Sequence, residues 1–223
     1  EDPIEYDMRY INQMQVNVAA GITFANGLRA ILRQDPNILM VGEIRDEETV
    51  NIGVHAALTG HLVLSSLHTN DAVTAVPRLI DMGVPPFLVA AVLNGISAQR
   101  LTRRIHLDCI ESYTPGPEVI ASIKNHLRAS GVDPASVRTP TTFFRGRGCA
   151  ADGHTGYLGR IGIFEMFNVS ESIRKLIVSG QFSIDDLKKV ARQEGMVSMF
   201  EDGLRKVERG LTTIEEVFRE IRE

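Results

Sequence analysis

An unbroken apolar run over residues 38–41 is the most informative pattern along the chain. Asp35-Pro36-Asn37 before it favours a turn, and Gly42 and Glu43 follow it. Four consecutive apolar residues leave no polar face, which is typical of a parallel strand covered by helices on both sides. Because the carboxyl ends of strands form the ligand crevice of open α/β sheets, the pattern places Glu43 at a functional edge.

The residues after this run predict a strand, a helix and a second strand. Asp46 suits the N-cap of a helix that runs to about Leu58. A second apolar run begins at His61 and is closed by His68. Strand, helix and strand in this order make a crossover unit with a parallel pair of strands. Glu43 and His68 should therefore share one sheet edge, whereas His61 begins its strand at the opposite edge.

Capping and helix-stopping residues predict the other elements. Thr23 caps a helix that Pro36 stops. A later long helix would place Arg100, Arg103 and Arg104 at its C-terminus, where cations complement the helix dipole. The remaining predicted elements are an edge strand over 11–16, a helix capped by Thr69 or Asn70 and ended by Gly83, the long helix from Pro85-Pro86 through Arg104, a helix around 119–127, a strand over 161–167, and helices that start at Ser170, Ser183 and Thr213. Ser183 with Asp186 and Thr213 with Glu216 fit capping boxes at two of these helix starts.

The composition is that of an ordinary globular chain. The 223 residues are 43% hydrophobic and 23% charged, with a formal net charge of −4. Without a long Lys/Arg block, this balance disfavours nucleic acid as a partner. No apolar run approaches the roughly 18 residues of a membrane span, so we expect a soluble protein without direct membrane insertion. Cys109 and Cys149 suit a reducing compartment better than a disulfide framework.

Two short segments each offer two metal-binding side chains separated by two residues. His106 and Cys109 form the first pair, and Cys149 and Asp152 form the second. Two loops that each give two ligands to one tetrahedral ion have the geometry of a zinc knuckle. Aspartate is a harder and rarer ligand for structural zinc, and His154 is close enough in sequence to replace it. Zinc binding is therefore one hypothesis, and a metal-free, glycine-rich turn is the other.

Taken in order, these motifs resemble the secretion ATPases of type II secretion and type IV pilus assembly over essentially the whole chain. Glu1-Asp2-Pro3-Ile4-Glu5 is similar to the family's aspartate box, residues 38–46 to its Walker B strand, and residues 59–71 to its histidine box. Gly156-Tyr157-Leu158-Gly159-Arg160 follows the place of its second metal pair. The resemblance implies an α/β fold with a partial RecA-like P-loop NTPase core, a small metal-binding-like insertion and a C-terminal helical subdomain.

The resemblance also implies a division of the chain. Residues 1–105 would form the partial RecA-like core, residues 106–158 the metal-binding-like segment, and residues 159–223 the returning strand with the helical subdomain. The predicted core of that subdomain comprises Leu187, Val190, Met199, Leu204, Val207 and Val217.

Proteins of this family are hexameric motors in which turnover of ATP with Mg²⁺ works an assembly platform in the inner membrane. The resemblance therefore implies a homo-hexamer in the cytoplasm, peripheral at the inner membrane, with the platform proteins as partners. It implies that Glu43 is the Walker B carboxylate, that Glu1 and Asp2 help to place water and magnesium, that His61 and His68 are the box histidines, and that Arg29, Arg45 and Arg160 match arginines of the nucleotide site.

The sequence departs from the family pattern in two ways. The family's metal site is usually four cysteines, whereas His106 and Asp152 stand at the first and fourth positions here. No Gly-x-x-x-x-Gly-Lys-Ser/Thr phosphate loop occurs in the chain, and in this family that loop precedes the position of Glu1. A chain that begins at Glu1 without an initiator methionine reads as a piece of a longer protein. We expect the piece alone not to hydrolyse ATP.

Two other classes of function fit parts of the sequence. The chain could be a non-catalytic, metal-stapled interaction module, which the absence of a phosphate loop from the complete protein would favour. It could also be a nucleic-acid or conjugation-type translocase on the same core, although the acidic balance argues against the basic channel that this requires. Within the motor family, secretion and pilus assembly both stay open. A retraction motor is disfavoured because such motors generally lack the metal segment.

Overall fold

The structure, a computed structural model, describes residues 1–221. The chain divides into two compact units. The first consists of Glu1–Ile96 and Asn168–Glu194, and the second consists of Ser97–Phe167 and the residues from Gly195 onward. Each unit is therefore built from segments that are distant in sequence.

The compact units do not follow the segments predicted at 1–105, 106–158 and 159–223. Residues 168–194, which the sequence assigns to the C-terminal subdomain, pack with the first unit. Compact units and functional segments are different divisions of a chain, so the three functional segments stay a prediction.

Helices and strands alternate through the first half of the chain and helices dominate its end. The α-helices are α1 (Phe24–Ile31), α2 (Glu47–Leu58), α3 (Ala75–Asp81), α4 (Pro86–Val92), α5 (Pro117–Ala129), α6 (Glu171–Ser179), α7 (Ile184–Gln193), α8 (Met199–Glu208) and α9 (Ile214–Ile221). The strands are β1 (Ile38–Val41), β2 (Leu62–Ser65), β3 (Gly95–Ile105), β4 (Ile110–Tyr113), β5 (Phe143–Gly146) and β6 (Tyr157–Asn168).

The parallel pair predicted from the two apolar runs is confirmed. β1 pairs with β2 in parallel, from Ile38 opposite Leu62 to Val41 opposite Ser65. The connecting helix α2 begins after Asp46, whose Oδ1 accepts a hydrogen bond from the Thr49 backbone at 2.7 Å. This bond satisfies one of the amide groups that a helix start leaves free. The local sequence thus sets both the helix start and the parallel geometry.

The expectation that helices cover both faces of β1 is wrong for this chain. Leu39 and Val41 are 3% and 5% exposed and pack with Leu28 of α1. Ile38 and Met40 are each 63% exposed. Successive strand residues point to opposite faces, so α1 and α2 bury only alternate side chains. Within the described residues, helices therefore cover one face of β1, and its other face is exposed and apolar.

Two predicted elements of the first unit are absent or shifted. Residues 11–16 form no strand, and the Val16 amide instead donates to the carbonyl of Glu1 at 2.9 Å. The helix predicted to start at Thr69 or Asn70 begins only at Ala75. The residues before it form a hydrogen-bonded loop, because short polar side chains there bond to nearby backbone groups in competition with the helix.

The predicted long helix through Arg104 is wrong beyond Val92, where α4 ends. Residues 95–105 form β3, which pairs with β6. Thr102 is fully buried and its hydroxyl donates to the carbonyl of Ile161 at 3.3 Å. Asn94 and Gly95 supply a break, and pairing with a distant strand overrides the local helical pattern. The cations at 100, 103 and 104 therefore do not complement a helix dipole.

The core of the second unit lies between α5, β5, α8 and α9. The helix predicted around 119–127 is confirmed as α5, and the strand predicted over 161–167 lies within β6. The buried residues of this core include Ile123, Leu127, Phe143, Phe200 and Leu204. β4 and β5 pair as antiparallel strands with Ile110 opposite Gly146, and α5 lies in the long connection between them; we call this strand pair the β4–β5 hairpin. This register brings together the chain segments on either side of the hairpin.

The helix starts predicted at Ser170 and Ser183 are confirmed. The Ser170 hydroxyl accepts a hydrogen bond from the Ile173 backbone, and Ser183 and Asp186 form the predicted capping box. Sequence inspection missed a third capping serine, Ser198, at the start of α8. Of the residues predicted as one helical core, Leu187 is buried in the first unit and Val190 is half-buried there, whereas Met199, Leu204, Val207 and Val217 are buried in the second unit.

A buried carboxylate on α9 joins it to β3. Glu216 is 3% exposed and accepts hydrogen bonds from Arg103 Nε at 2.9 Å, Arg103 Nη2 at 2.6 Å and Arg219 Nη2 at 2.6 Å. Thr213 accepts from the Glu216 amide at 3.4 Å, but the carboxylate turns to Arg103 instead of completing the predicted capping box. Burial opposes ionisation, yet the Arg103 guanidinium holds the pKa of Glu216 below its ordinary value.

Arg103→Met is expected to lower the free energy of unfolding by about 2–3 kcal/mol at pH 7, because it leaves a buried carboxylate with only one of its two arginines. The pKa of Glu216 is lowered in the folded protein. Its ionised form therefore stabilises the fold at pH values above about 4.3, the ordinary pKa of a glutamate. This stabilisation is lost as the pH falls through the folded pKa. Urea unfolding should therefore show a smaller difference from wild type at pH 3.5 than at pH 7. Arg104→Met, on the exposed neighbour, is the control, and an equal loss in both variants would contradict the assignment.

Candidate functional site

The carboxyl ends of β1 and β2 are tied together just before the polar residues that follow them. The Ser66 hydroxyl donates to the carbonyl of Gly42 at 2.6 Å, and the Ile44 amide donates to the carbonyl of Ser66 at 3.1 Å. A Cβ on Gly42 would lie 3.3 Å from the Cα of Glu1, so a glycine here allows the start of the chain to approach the strand end. These contacts fix the backbone on both sides of Glu43.

Glu43 lies between one arginine and one histidine. Its Oε1 accepts from Arg45 Nη2 at 2.5 Å, and its Oε2 lies 2.9 Å from His68 Nε2. Glu43 is 15% exposed and His68 is 83% exposed. Hydrogen bonds from Arg45 and then from His68 hold the pKa of Glu43 below its ordinary value. The prediction that Glu43 and His68 share a sheet edge is confirmed, and the carboxyl is held ionised.

The predicted acidic residues at the start of the chain lie near this group. The Asp2 carboxylate is 3.9 Å from Arg45 Nη1, and Glu1 Oε1 accepts from Gln13 Nε2 at 2.9 Å. Sequence inspection missed Gln13, whose Oε1 also accepts from the Met8 backbone at 2.8 Å. A glutamine in an irregular segment carries no sequence signal, so only the folded contacts identify it. We refer to Asp2, Glu43, Arg45 and His68 as the carboxylate cluster.

Arg29 and His61 are not part of the carboxylate cluster. Both line a concave surface along α1 and α2, together with Glu48 and His55. Arg29 Nη2 donates to Glu48 Oε1 at 2.6 Å. His61 Nδ1 lies 2.9 Å from the carbonyl of Ala56, at the amino end of β2 as predicted. We call this surface the Arg29 cleft.

Arg160 lies in the second unit, on β6, where it is exposed. Arg29 and Arg45 both lie in the first unit but have different partners. Arg45 bonds to Glu43, and Arg29 bonds to Glu48. Convergence of the three predicted arginines on one nucleotide therefore stays a prediction.

The predicted metal ligands of the second unit come together at the base of the β4–β5 hairpin. Cys109 directly precedes β4, and two residues separate Cys149 from the end of β5. The Arg147 amide donates to the carbonyl of Cys109 at 2.9 Å, which extends the hairpin to the two cysteines. A Cβ on Gly146 would lie only 2.1 Å from the carbonyl oxygen of Gly156, so this close backbone approach requires glycine.

The ligand atoms of His106, Cys109, Cys149 and Asp152 all lie within 4.8 Å of one another. Asp152 Oδ2 is 3.0 Å from His106 Nδ1, 3.1 Å from Cys109 Sγ and 3.3 Å from Cys149 Sγ. Cys149 Sγ is 3.3 Å and Cys109 Sγ is 3.9 Å from His106 Nδ1. Tetrahedral zinc with bonds of about 2.0–2.3 Å separates its ligand atoms by about 3.3–3.8 Å. The donor set and its spacing therefore fit a zinc ion.

Groups outside the four ligands orient them. Asp152 Oδ1 accepts from the backbone amides of Cys149 at 3.0 Å, Thr155 at 2.9 Å and Gly156 at 3.2 Å, which leaves Oδ2 facing the other ligands. Asp108 lies 3.5 Å from the other nitrogen of His106. Such outer partners fix ligand orientation in metal sites. The predicted alternative, His154, is exposed and outside the ligand group, so Asp152 completes the set.

The ionisation of these side chains also favours a bound cation. Burial works against ionisation of Asp152, yet hydrogen bonds from the Cys149 amide and the Cys109 thiol hold its pKa well below the ordinary value. Burial raises the pKa of the Cys109 thiol, and the hydrogen bond of this thiol to the Asp152 carboxylate raises it further. A buried carboxylate beside two thiols disfavours thiolates unless a positive charge lies between them.

Comparison with known proteins gives matches over nearly the whole chain. A family described as "Type II/IV secretion system protein" matches residues 1–219. The type IV pilus assembly ATPase PilB of Thermus thermophilus is 49% identical over 217 residues, which are 97% of this chain and 23% of that protein. The type II secretion system protein HxcR of Pseudomonas aeruginosa is 48% identical over 223 residues, all of this chain and 42% of that protein. The chain thus spans less than half the length of these relatives.

Solved structures support the fold. The pilus retraction motor PilT with bound ADP superposes with a TM-score of 0.64 at 27% identity, over 99% of this chain and 50% of that one. The Legionella pneumophila ATPase DotB superposes with a TM-score of 0.63 at 19% identity, over 99% of this chain and 50% of that one. These likenesses confirm the predicted RecA-like α/β class. Among residues 1–221, no helix is long and apolar enough to cross a membrane.

Proposed function

Because the chain belongs to the type II/IV secretion system protein family, we propose that it is part of an ATPase motor that drives type II protein secretion or type IV pilus assembly. The observation that carries this proposal is Glu43 at the carboxyl end of β1, held ionised by Arg45 and His68. A fixed carboxylate at the ligand edge of a parallel sheet is what a motor needs to orient the water that attacks ATP.

The residues of the carboxylate cluster and the adjacent Glu1 have separate roles in this proposal. Glu43 orients the attacking water and accepts its proton, while Arg45 and His68 hold the carboxylate in place. Glu1 and Asp2 help to place the Mg²⁺ that neutralises charge on the phosphates of ATP. The phosphates also need a backbone cradle and a lysine, which a phosphate loop outside this chain would supply. The chain alone would therefore be inactive.

The proposed motor is a homo-hexamer in the cytoplasm, peripheral at the inner membrane, where it works a platform of membrane proteins. The Arg29 cleft supports a shared site, because Arg29 lies away from Glu43 of its own chain. In a ring, such an arginine can serve the nucleotide of a neighbouring subunit, and a guanidinium acting in this way is worth about 10³-fold or more in rate. His61 would belong to the same surface, and Arg160 would be a further candidate.

Zinc would have a structural role in this motor. His106, Cys109, Cys149 and Asp152 would hold the ion and close the base of the β4–β5 hairpin, with no open position for substrate. The ion would neutralise the two thiolates and the carboxylate and so supply folding free energy.

Mixed rings test the proposed motor. We expect full-length Glu43→Gln protein and full-length Arg29→Ala or Arg160→Ala protein each to be inactive alone, and their mixture to recover hydrolysis. Random mixing leaves about a quarter of the interfaces with both intact groups if the two groups belong to different subunits. Phosphate release from Mg-ATP measures the recovery. Arg33→Ala, on an exposed arginine near Arg29, should keep wild-type activity.

Two results would contradict the proposal. A wild-type full-length protein that assembles but does not hydrolyse ATP would exclude the motor. Arginine variants that hydrolyse ATP normally, together with mixtures that stay inactive although mixed rings form, would exclude a shared site for these arginines.

A further inference from the structure

The loop between β2 and α3 carries His68 and is anchored at Asp71. Asp71 Oδ1 accepts from the Thr74 backbone at 2.8 Å, and the Thr69 hydroxyl donates to the carbonyl of Asp71 at 3.1 Å. Ala72 and Val73 that follow are fully buried. The end of this loop is thus fixed by packing, and Asp71 is its charged point of attachment.

Asp71 is also bound by a residue from a distant part of the first unit. Lys188 Nζ on α7 lies 2.9 Å from Asp71 Oδ2. The position of α7 is itself well determined, since Leu187 and Ala191 are 0% and 2% exposed on either side of Lys188. Burial opposes ionisation of Asp71, yet the hydrogen bond from Lys188 helps to hold the pKa of this carboxyl below its ordinary value. The ion pair therefore connects a packed helix to the loop.

The side chain of His68 depends on this loop for its position. This side chain is 83% exposed, and among the described residues its hydrogen-bond partner is Glu43. An exposed imidazole keeps one orientation only if its backbone is held. The loop is held on both sides of His68. Ser66, two residues before it, is bonded to Gly42 and Ile44. Asp71, three residues after it, is bound through its carboxylate by Lys188 of a distant helix.

We infer that Lys188 is a positioning residue for the carboxylate cluster: through Asp71 it fixes the loop so that His68 holds Glu43 in one orientation. This inference rests on the proposed function, because it assigns Lys188 a part in ATP hydrolysis. Lys188 would contact neither ATP nor water. Its loss would leave a half-buried carboxylate without its ammonium partner and would free the loop to adopt other conformations.

Steady-state hydrolysis of Mg-ATP by the full-length protein tests the inference. Lys188→Met is expected to lower kcat about tenfold and to change the KM for ATP less than about twofold, since small displacements of positioned groups reduce the chemical step. Lys188→Arg keeps the charge and should restore most of the rate. Lys189→Met, at the exposed next position of α7, is the matched control and should resemble wild type.

A second variant separates positioning from a general loss of stability. Asp71→Asn removes the other half of the pair and should lower kcat to a similar extent. The double variant should lose little more than either single one, because both changes break the same interaction. Additive losses of kcat in the double variant would overturn the inference. A normal kcat in Lys188→Met would also overturn it, even if Asp71→Asn folds poorly.

Hydrogen exchange of the same full-length proteins gives a readout that does not need activity. Amides of residues 66–74 should exchange faster in Lys188→Met and Asp71→Asn than in wild type and Lys189→Met. If wild type does not hydrolyse ATP, the proposed function fails, and this exchange still decides whether Lys188 holds the loop. If wild type is active but exchange and kcat are unchanged in Lys188→Met, the inference alone fails.

Discussion

Full-length protein carrying Glu43→Gln is expected to bind ATP normally and to hydrolyse it at least about a hundredfold more slowly than wild type. The amide has the shape of the carboxylate but cannot accept a proton from water. It also changes the pairing with Arg45 and His68, which both reach the carboxylate oxygens in the folded protein. Because the substitution removes chemistry and not the phosphate contacts, kcat should fall while the affinity for ATP stays close to wild type.

Phosphate release and equilibrium binding of a fluorescent ATP analogue measure the two effects. Glu171→Gln, on an exposed glutamate of α6, is the matched control and should leave both unchanged. The isolated 223-residue chain, without a phosphate loop, should show no turnover. Wild-type turnover by Glu43→Gln would remove this residue from the mechanism. Mg²⁺-dependent turnover by the isolated chain would show that the missing loop is not needed.

The pH dependence of kcat in wild type should agree with the environment of Glu43. Hydrogen bonds from Arg45 and then from His68 lower the pKa of this carboxyl, so it stays ionised below the ordinary value of about 4.3. Protonation of Glu43 should therefore not limit the rate between pH 5 and 8, and groups other than Glu43 would cause any loss of activity in that range.

Features that depend on neighbouring residues could be predicted from the sequence. The start of α2 follows from the side chain of Asp46, and the pairing of β1 with β2 follows from two apolar runs joined by one helix. The meeting of Glu43 and His68 follows in turn, because parallel strands end at the same edge. Each of these steps needs only local sequence and one general rule of chain topology.

Features that depend on distant residues could not be predicted. β3 was predicted as helix because its partner β6 lies about sixty residues further along, and nothing local to residues 95–105 identifies that partner. Lys188 and Asp71 are likewise far apart in sequence, and the contact of Gln13 with Glu1 spans an irregular segment that gives no pattern to predict it from. The choice of Asp152 over His154 depends on three backbone amides that hold one carboxylate oxygen.

Removal of zinc is expected to destabilise the second unit by several kcal/mol. Apparent binding energies for structural zinc in small domains are about 10–16 kcal/mol at neutral pH, and this free energy becomes folding free energy when the site does not exist in the unfolded chain. The four candidate ligands come from two segments that flank the β4–β5 hairpin, so a bound ion would close a loop of about forty residues. Chelation should therefore lower the Tm and increase exposure of the β4–β5 segment to proteolysis.

Elemental analysis of protein purified without added metal should find close to one zinc per chain. Cys149→Ser and Asp152→Asn should each reduce the zinc content and lower the Tm toward that of the chelated wild type. His154→Ala, which changes an exposed neighbour outside the ligand group, should keep both the zinc and the Tm. This pair of results separates loss of a ligand from loss of any polar residue in the same turn. A wild-type protein that contains no zinc and keeps its Tm in chelator would show that hydrogen bonds donated to Asp152 by the two cysteines and His106 hold this turn without an ion.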